Sequence, residues 1–182
     1  MTALVTRTII GPLVAAALAL VLRSRPQLSD VITLLGLAAA TASAFGILYR
    51  VANSGSVAIR VGEWPRELGI VLVANLFAAL VLPIALSIIL VVELFAIGQR
   101  RTAWGANPEL AGPLLLVLTS GVSLAILTGD LFTLFVAFEL ILVSSYVLLT
   151  HQGRRGQVRS GMTYVVMNLF ASTLFLFGLA LI

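Results

Sequence analysis

Apolar residues run almost unbroken through six stretches of this chain, roughly 3–22, 31–49, 70–97, 110–128, 131–150 and 160–182. Charged residues or Gly and Pro bound each stretch. Runs near twenty residues match a helix that crosses a bilayer, whereas barrel strands alternate in polarity over about ten. Hydrocarbon offers no water to backbone amides, so a spanning segment satisfies them internally as a helix. The pattern predicts an all-α polytopic membrane protein, with about six transmembrane helices in one transmembrane domain covering 1–182.

One connection breaks the rhythm. Between spans two and three, "YRVANSGSVAIRVGEWPREL" carries Asn-Ser-Gly turn chemistry between two short β-prone runs. It predicts a short β-hairpin leading into a Glu63-Trp64-Pro65 bend. Trp64 and Trp104 suit interfacial anchors.

Composition agrees with the pattern. The chain is 60% hydrophobic and 10% charged, with a mean hydropathy of +1.15, which a domain with a polar surface does not reach. Span one is followed, not preceded, by Arg23 and Arg25, the reverse of a secretory signal, and reads as an uncleaved first helix. The 1–2, 3–4 and 5–6 connections hold seven arginines and the opposite side holds four. By the positive-inside rule this puts both ends of the chain outside and the hairpin with them. The net charge of +4 thus records topology and gives no reason to expect nucleic acid.

The chain has no cysteine and one histidine, His151. Disulfides, thiolate catalysis, iron–sulfur ligation and His/Cys metal clusters are excluded, and no phosphate loop or nucleophile–base pair is present. The reading at this point is of a membrane protein with no cofactor, no metal site and no enzymatic centre.

Polar groups inside spans are then the candidates for function. Asp130 opens span five in a Thr-Gly-Asp turn, where a carboxylate caps amide donors. Glu93 lies about one turn from the end of span three, within reach of lipid headgroups. Glu139 is different. It stands nine residues beyond Asp130, about 13 Å deeper along the axis and near the midplane of the hydrocarbon. Its neighbours at helical spacing are Phe135, Val136, Leu142 and Val143, so no counter-charge sits on its own helix. A central acid costs on the order of 3 kcal/mol on insertion scales and must be protonated or find a partner on another helix. Such a group suits proton transfer. Glu93, Ser144, Ser145 and Tyr146 are possible companions along a proton path or packing groups, and Thr119, Ser120, Ser123, Thr163, Asn168, Ser172 and Thr173 are further polar groups that read mostly as contacts between helices. His151, at the end of span five beside Arg154 and Arg155, is a candidate proton acceptor from solvent or an ordinary loop histidine.

Four segments carry a family resemblance: "GIVLVAN" (69–75), "TGDLFTLFVAFELILVSSYVLL" (128–149), "QVRSGMTYVVMN" (157–168) and "ASTLFLFGLALI" (171–182). They resemble the D subunits of multisubunit Na⁺(K⁺)/H⁺ antiporters of the Mrp type, which are similar to the antiporter-like subunits of respiratory NADH:quinone oxidoreductase. The resemblance implies a fold of about fourteen helices with both termini outside and a β-hairpin after helix two. It also implies a bacterial cell membrane, protons and Na⁺ or K⁺ as transported ions, and other integral membrane subunits as partners. The acid matching Glu139 is the family's proton-path group, and its partner is a lysine on helix seven. This chain contains no lysine and ends in an apolar run at Ile182, which reads as the first portion of a longer subunit. Where the family commonly carries an acid, an Asn and a lysine, this chain has Asn75, Thr133 and Thr163. A proton-pumping subunit of a quinone-linked dehydrogenase or hydrogenase, and a non-transporting membrane scaffold, are the alternatives.

Overall fold

The computed structural model describes residues 1–61, 70–99, 110–150 and 155–181. In chain order the elements are α1 (Thr2–Val21), α2 (Pro26–Ser54), β1 (Val57–Val61), β2 (Ile70–Ala74), α3 (Leu76–Gln99), α4 (Ala111–Leu127), α5 (Leu131–Thr150) and α6 (Arg155–Ala180). Five of the helices are long and apolar enough to cross a membrane. The sixth, α4, has 17 residues, at the short end of what spans hydrocarbon.

Packing runs from element to element as a chain of neighbours. Helix α1 lies against α2 and α4, α2 against α3, α4 against α5, and α5 against α6. The buried positions are mostly small or medium: Ala40, Ala44, Ala78 and Ala79 with Ile47, Leu82 and Leu86 at the α2–α3 contact, and Ala16, Leu37 and Leu116 where α1, α2 and α4 meet. Large apolar side chains face outward instead. On α3, Ile84, Ile88, Val91 and Phe95 form one exposed stripe. Small residues inside and bulky ones outside are what lipid as solvent selects, since close backbone approach rather than water exclusion holds such helices together.

Buried hydroxyls are satisfied locally. Thr33, Thr41, Thr119 and Ser123 each donate to the carbonyl four residues earlier. Ser120 instead reaches across to α1 and donates to the Ile9 carbonyl at 2.6 Å. That bond ties α4 to the first helix.

The β-structure is present but partitioned differently from the sequence expectation. Strands β1 and β2 pair antiparallel, with Val57 opposite Ala74, Ile59 opposite Leu72 and Val61 opposite Ile70. The first β-prone run, around Tyr49–Ala52, is instead the last part of α2. The Asn-Ser-Gly sequence ends that helix: Gly55 has φ +79°, a left-handed conformation that glycine adopts without a Cβ penalty, and its amide bonds to the Val51 carbonyl at 2.9 Å. The second strand is Ile70–Ala74, which the hydrophobic pattern merges into span three. Helix α3 therefore begins at Leu76 and not near residue 70, with Asn75 Oδ1 accepting from the Ala78 amide at 2.7 Å. Helix α2 begins at Pro26, earlier than the apolar run, because proline is well suited to the first helical position. The Glu63-Trp64-Pro65 bend, Trp104 and His151 lie outside the described residues.

Candidate functional site

Helix α5 is held on two sides by close approaches. Toward α4, a Cβ at Gly121 would stand 2.9 Å from Ile141 Cγ1, 3.1 Å from its amide nitrogen and 3.2 Å from the Ala137 carbonyl oxygen. The two backbones touch there. Toward α6, a Cβ at Gly161 would collide with Thr150 Cγ2 and the Tyr146 ring. The start of α5 is tied to the sheet. Gly129 N donates to the Val71 carbonyl at 2.7 Å, and Thr128 forms an isolated antiparallel bridge with Leu72. Asp130 uses both carboxylate oxygens: Oδ1 accepts from the Thr133 amide at 2.6 Å and Oδ2 from the Val71 amide at 3.3 Å. One bond is within its own helix's first turn and the other goes to β2.

On the face of α5 turned toward α6 stands Glu139, half-buried, its Oε1 accepting a hydrogen bond from the Ser172 hydroxyl of α6. Together they border a cavity of about 220 Å³ between the two helices. Tyr146 lies on the same face of α5, seven residues on, and Tyr164, Asn168 and Leu169 on the facing side of α6. Five polar side chains thus border one opening. In the other direction, one turn before Glu139 and three residues beyond Ser172, Phe135 and Phe175 stack with ring centroids 5.9 Å apart and planes inclined by 15°.

The remaining sequence candidates fall elsewhere. Ser144 is buried on the face of α5 that carries Ala137, and it donates to the Leu140 carbonyl at 2.6 Å. Ser145 is half-buried and does not border the opening. Glu93 differs from expectation. Rather than reaching for headgroups, it is 0% exposed, with Oε1 3.3 Å from where a Cβ on Gly112 would sit, beside Thr33. It belongs to the junction of α2, α3 and α4. Among the described residues no group of three or more His, Asp or Glu is placed to hold a metal ion. Tyr164 was not among the sequence candidates, nor was the ring pair. Their spacing from Asn168 and Ser172 was readable, but their alignment with Glu139 depends on the α5–α6 register.

Comparison with known proteins places these features in a family. A family profile described as "NADH:quinone oxidoreductase/Mrp antiporter, TM" matches residues 128–182, which include Glu139 and Ser172. The D subunit of a Na(+)/H(+) antiporter of Alkalihalophilus pseudofirmus is 42% identical over 132 residues, 72% of this chain and 26% of the relative. In Rhizobium meliloti, the D subunit of a "Probable K(+)/H(+) antiporter" is 37% identical over 142 residues, 75% of this chain and 26% of the relative. A solved Mrp complex from a Dietzia species contains a chain that superposes with a TM-score of 0.86 at 31% identity, over 99% of this chain and 34% of that one. The chain therefore spans about a quarter to a third of the length of these relatives. By sequence and by fold, this chain belongs to the family of antiporter-like membrane subunits that includes the D subunits of the Mrp antiporters.

Proposed function

We propose that this chain is part of a proton-translocating subunit of a multisubunit monovalent cation/proton antiporter, with Glu139 as the group that takes up and releases the proton. The observation that carries the reading is the placement of one carboxylate about 13 Å into a spanning helix, hydrogen-bonded to a second helix and bordering an opening between the two. A carboxyl inside a span, with no cation on its own helix, is suited to taking up and releasing a proton. The relatives named as the D subunits of Na⁺/H⁺ and K⁺/H⁺ antiporters support a monovalent cation as the exchanged ion. On this reading the partners are other integral membrane subunits and the lipid bilayer, the site is a bacterial cell membrane, and the N-terminus faces outward.

Asp130 serves as the cap that fixes the start of α5, Tyr146 borders the proton's route, and Ser144, Ser145 and Glu93 act in packing. The test is Glu139→Gln in the complete subunit within its complex. Cation-dependent proton movement in everted vesicles is lost while the complex assembles as in the parent. Parental exchange by that variant removes Glu139 from the mechanism.

A second reading has one specific support, the joint description of the matching family profile. In it the same helices pump protons within a quinone-linked dehydrogenase. Co-purification with flavin- or iron–sulfur-bearing subunits selects it over the antiporter.

A further inference from the structure

The turn between α1 and α2 sets positive charge on an apolar rim. Helix α1 ends at Val21 and α2 begins at Pro26, and Arg23 and Arg25 are two of the four residues between them. Both are exposed, and among the described residues neither is joined to a carboxylate. Asp30, the acid nearest in sequence, is half-buried and makes an interaction of its own. Backbone bonds hold the turn in shape. The Arg25 amide donates to the Leu22 carbonyl at 2.8 Å, and the Arg25 carbonyl accepts from the Leu28 and Ser29 amides at 3.0 and 3.1 Å. The Ser29 hydroxyl adds a link to the Ala19 carbonyl at 3.3 Å.

Arg25, Pro26, Gln27 and Leu28 line an open hollow of about 460 Å³. That lies within the roughly 300–1,000 Å³ of small-molecule sites. Its surroundings are apolar: Leu20 and Val21 in the last turn of α1, and Leu28 and Val31 in the first two turns of α2, are all exposed. Guanidinium and carboxamide donors above exposed aliphatic side chains, where two spanning helices end, match an amphiphile with an anionic head and hydrocarbon chains. A free anion gains nothing from the aliphatic rim, and an acidic peptide at this level would carry its backbone into hydrocarbon. The planar guanidinium binds phosphate oxygens through two parallel hydrogen bonds. On the proposed topology this is the cytoplasmic face, where anionic lipid attracts basic residues next to a span.

We propose that the α1–α2 turn binds an anionic phospholipid, its phosphate held by Arg23, Arg25 and Gln27 and its chains lying along Leu20, Val21, Leu28 and Val31. The site does not depend on the role of Glu139.

For the test, the complete subunit in its complex is purified, stripped of lipid and incubated with phosphatidylglycerol bearing a photoactivatable diazirine in its acyl chain. Labelled peptides are mapped by mass spectrometry. The expected result is label within residues 20–31 that excess phosphatidylglycerol displaces and that phosphatidylcholine and inorganic phosphate do not. An arginine beside an anionic membrane surface is worth about fivefold in affinity, so Arg23→Gln with Arg25→Gln lowers labelling about thirtyfold at subsaturating lipid. Arg50→Gln with Arg60→Gln removes the same charge from the far end of α2 and from β1, and leaves the label unchanged. Where the Arg23 and Arg25 pair of substitutions prevents assembly, the displacement series on the parental complex decides alone. Displacement by phosphatidylcholine, which shows a lipid face without headgroup recognition, overturns the proposal. So does displacement by inorganic phosphate, which shows a free-anion site, and so does an equal loss in the Arg50 and Arg60 variant, which shows diffuse charge. Absence of label within 20–31 overturns it too, and shielding of both arginines from phenylglyoxal in the stripped complex then identifies a protein segment as the occupant.

Discussion

Ser172 on α6 donates its hydroxyl to Oε1 of Glu139 on α5, joining two helices across 33 positions of sequence. Ser172 has no other hydrogen bond among those of the described side chains, whereas Thr173 beside it donates back to its own helix at Leu169. The bond therefore orients the carboxyl toward α6 instead of leaving it to turn toward lipid.

A hydrogen bond to a charged group is worth about 1.5–3 kcal/mol, and about 1.4 kcal/mol is tenfold in a rate or equilibrium. Ser172→Ala is expected to slow cation-driven proton exchange about tenfold or more at unchanged assembly. Ser172→Thr, which keeps the hydroxyl, restores most of the rate. Initial rates in everted vesicles check both, and an alanine variant at parental rate shows that the bond has no part in transfer.

Gly121→Ala should loosen the support behind Glu139. The added Cβ meets the backbone of α5 at Ile141 N and Ala137 O, which cannot swing aside as a side chain does. Overpacking of this kind costs about 1–3 kcal/mol, visible as a lower Tm of the purified complex. Gly178→Ala, where nothing lies within 4 Å, is the control and should melt like the parent.

Asp130→Ala removes the acceptor for both the Thr133 and the Val71 amides. Losing a cap costs about 1 kcal/mol locally. Hydrogen exchange at those two amides should accelerate together, while Asp130→Asn, which keeps one acceptor oxygen, preserves the Thr133 amide's protection. Faster exchange at Thr133 alone would separate the cap from the link to β2.

Glu93→Gln should leave exchange within about twofold of the parent, because sites without shared partners act independently. Its carboxyl is buried among α2, α3 and α4 beside Thr33 and Gly112, away from the α5–α6 opening. A large loss of exchange in that variant would make Glu93 a second relay group.

How much of this was legible in the sequence varied with the kind of signal. The six helices and the isolation of Glu139 follow from hydropathy and helical spacing, because lipid leaves few alternatives for an apolar run of that length. The entry to α3 was hidden. Residues 70–82 are nearly uniform in hydrophobicity, and periodicity cannot separate a buried strand from a helix in such a run. The one mark of the boundary is Asn75, whose side chain caps the helix. The end of α2 was also misplaced, since Tyr49–Ala52 suits a strand by propensity but continues a helix already formed, up to the left-handed Gly55. Ser172 was visible as one of several hydroxyls inside the spans. Which of them meets Glu139 is set by the depth at which α6 docks on α5, fixed in part by Gly161 fitting beneath Tyr146 and Thr150, and no local pattern encodes that depth.

The hydrogen bonds that join Val71 with Gly129 and with Asp130 have a consequence for the membrane itself. They make the sheet a datum from which α5 is measured, with Asp130 nine residues before Glu139. The depth of Glu139 is thus referenced to protein and not to the lipid chains. A thicker or thinner bilayer is accommodated by tilt or by local deformation of lipid around the outer helices. The carboxyl keeps its distance from its own sheet, so on the proposed relay role the length of the proton's path stays constant as the surrounding bilayer changes.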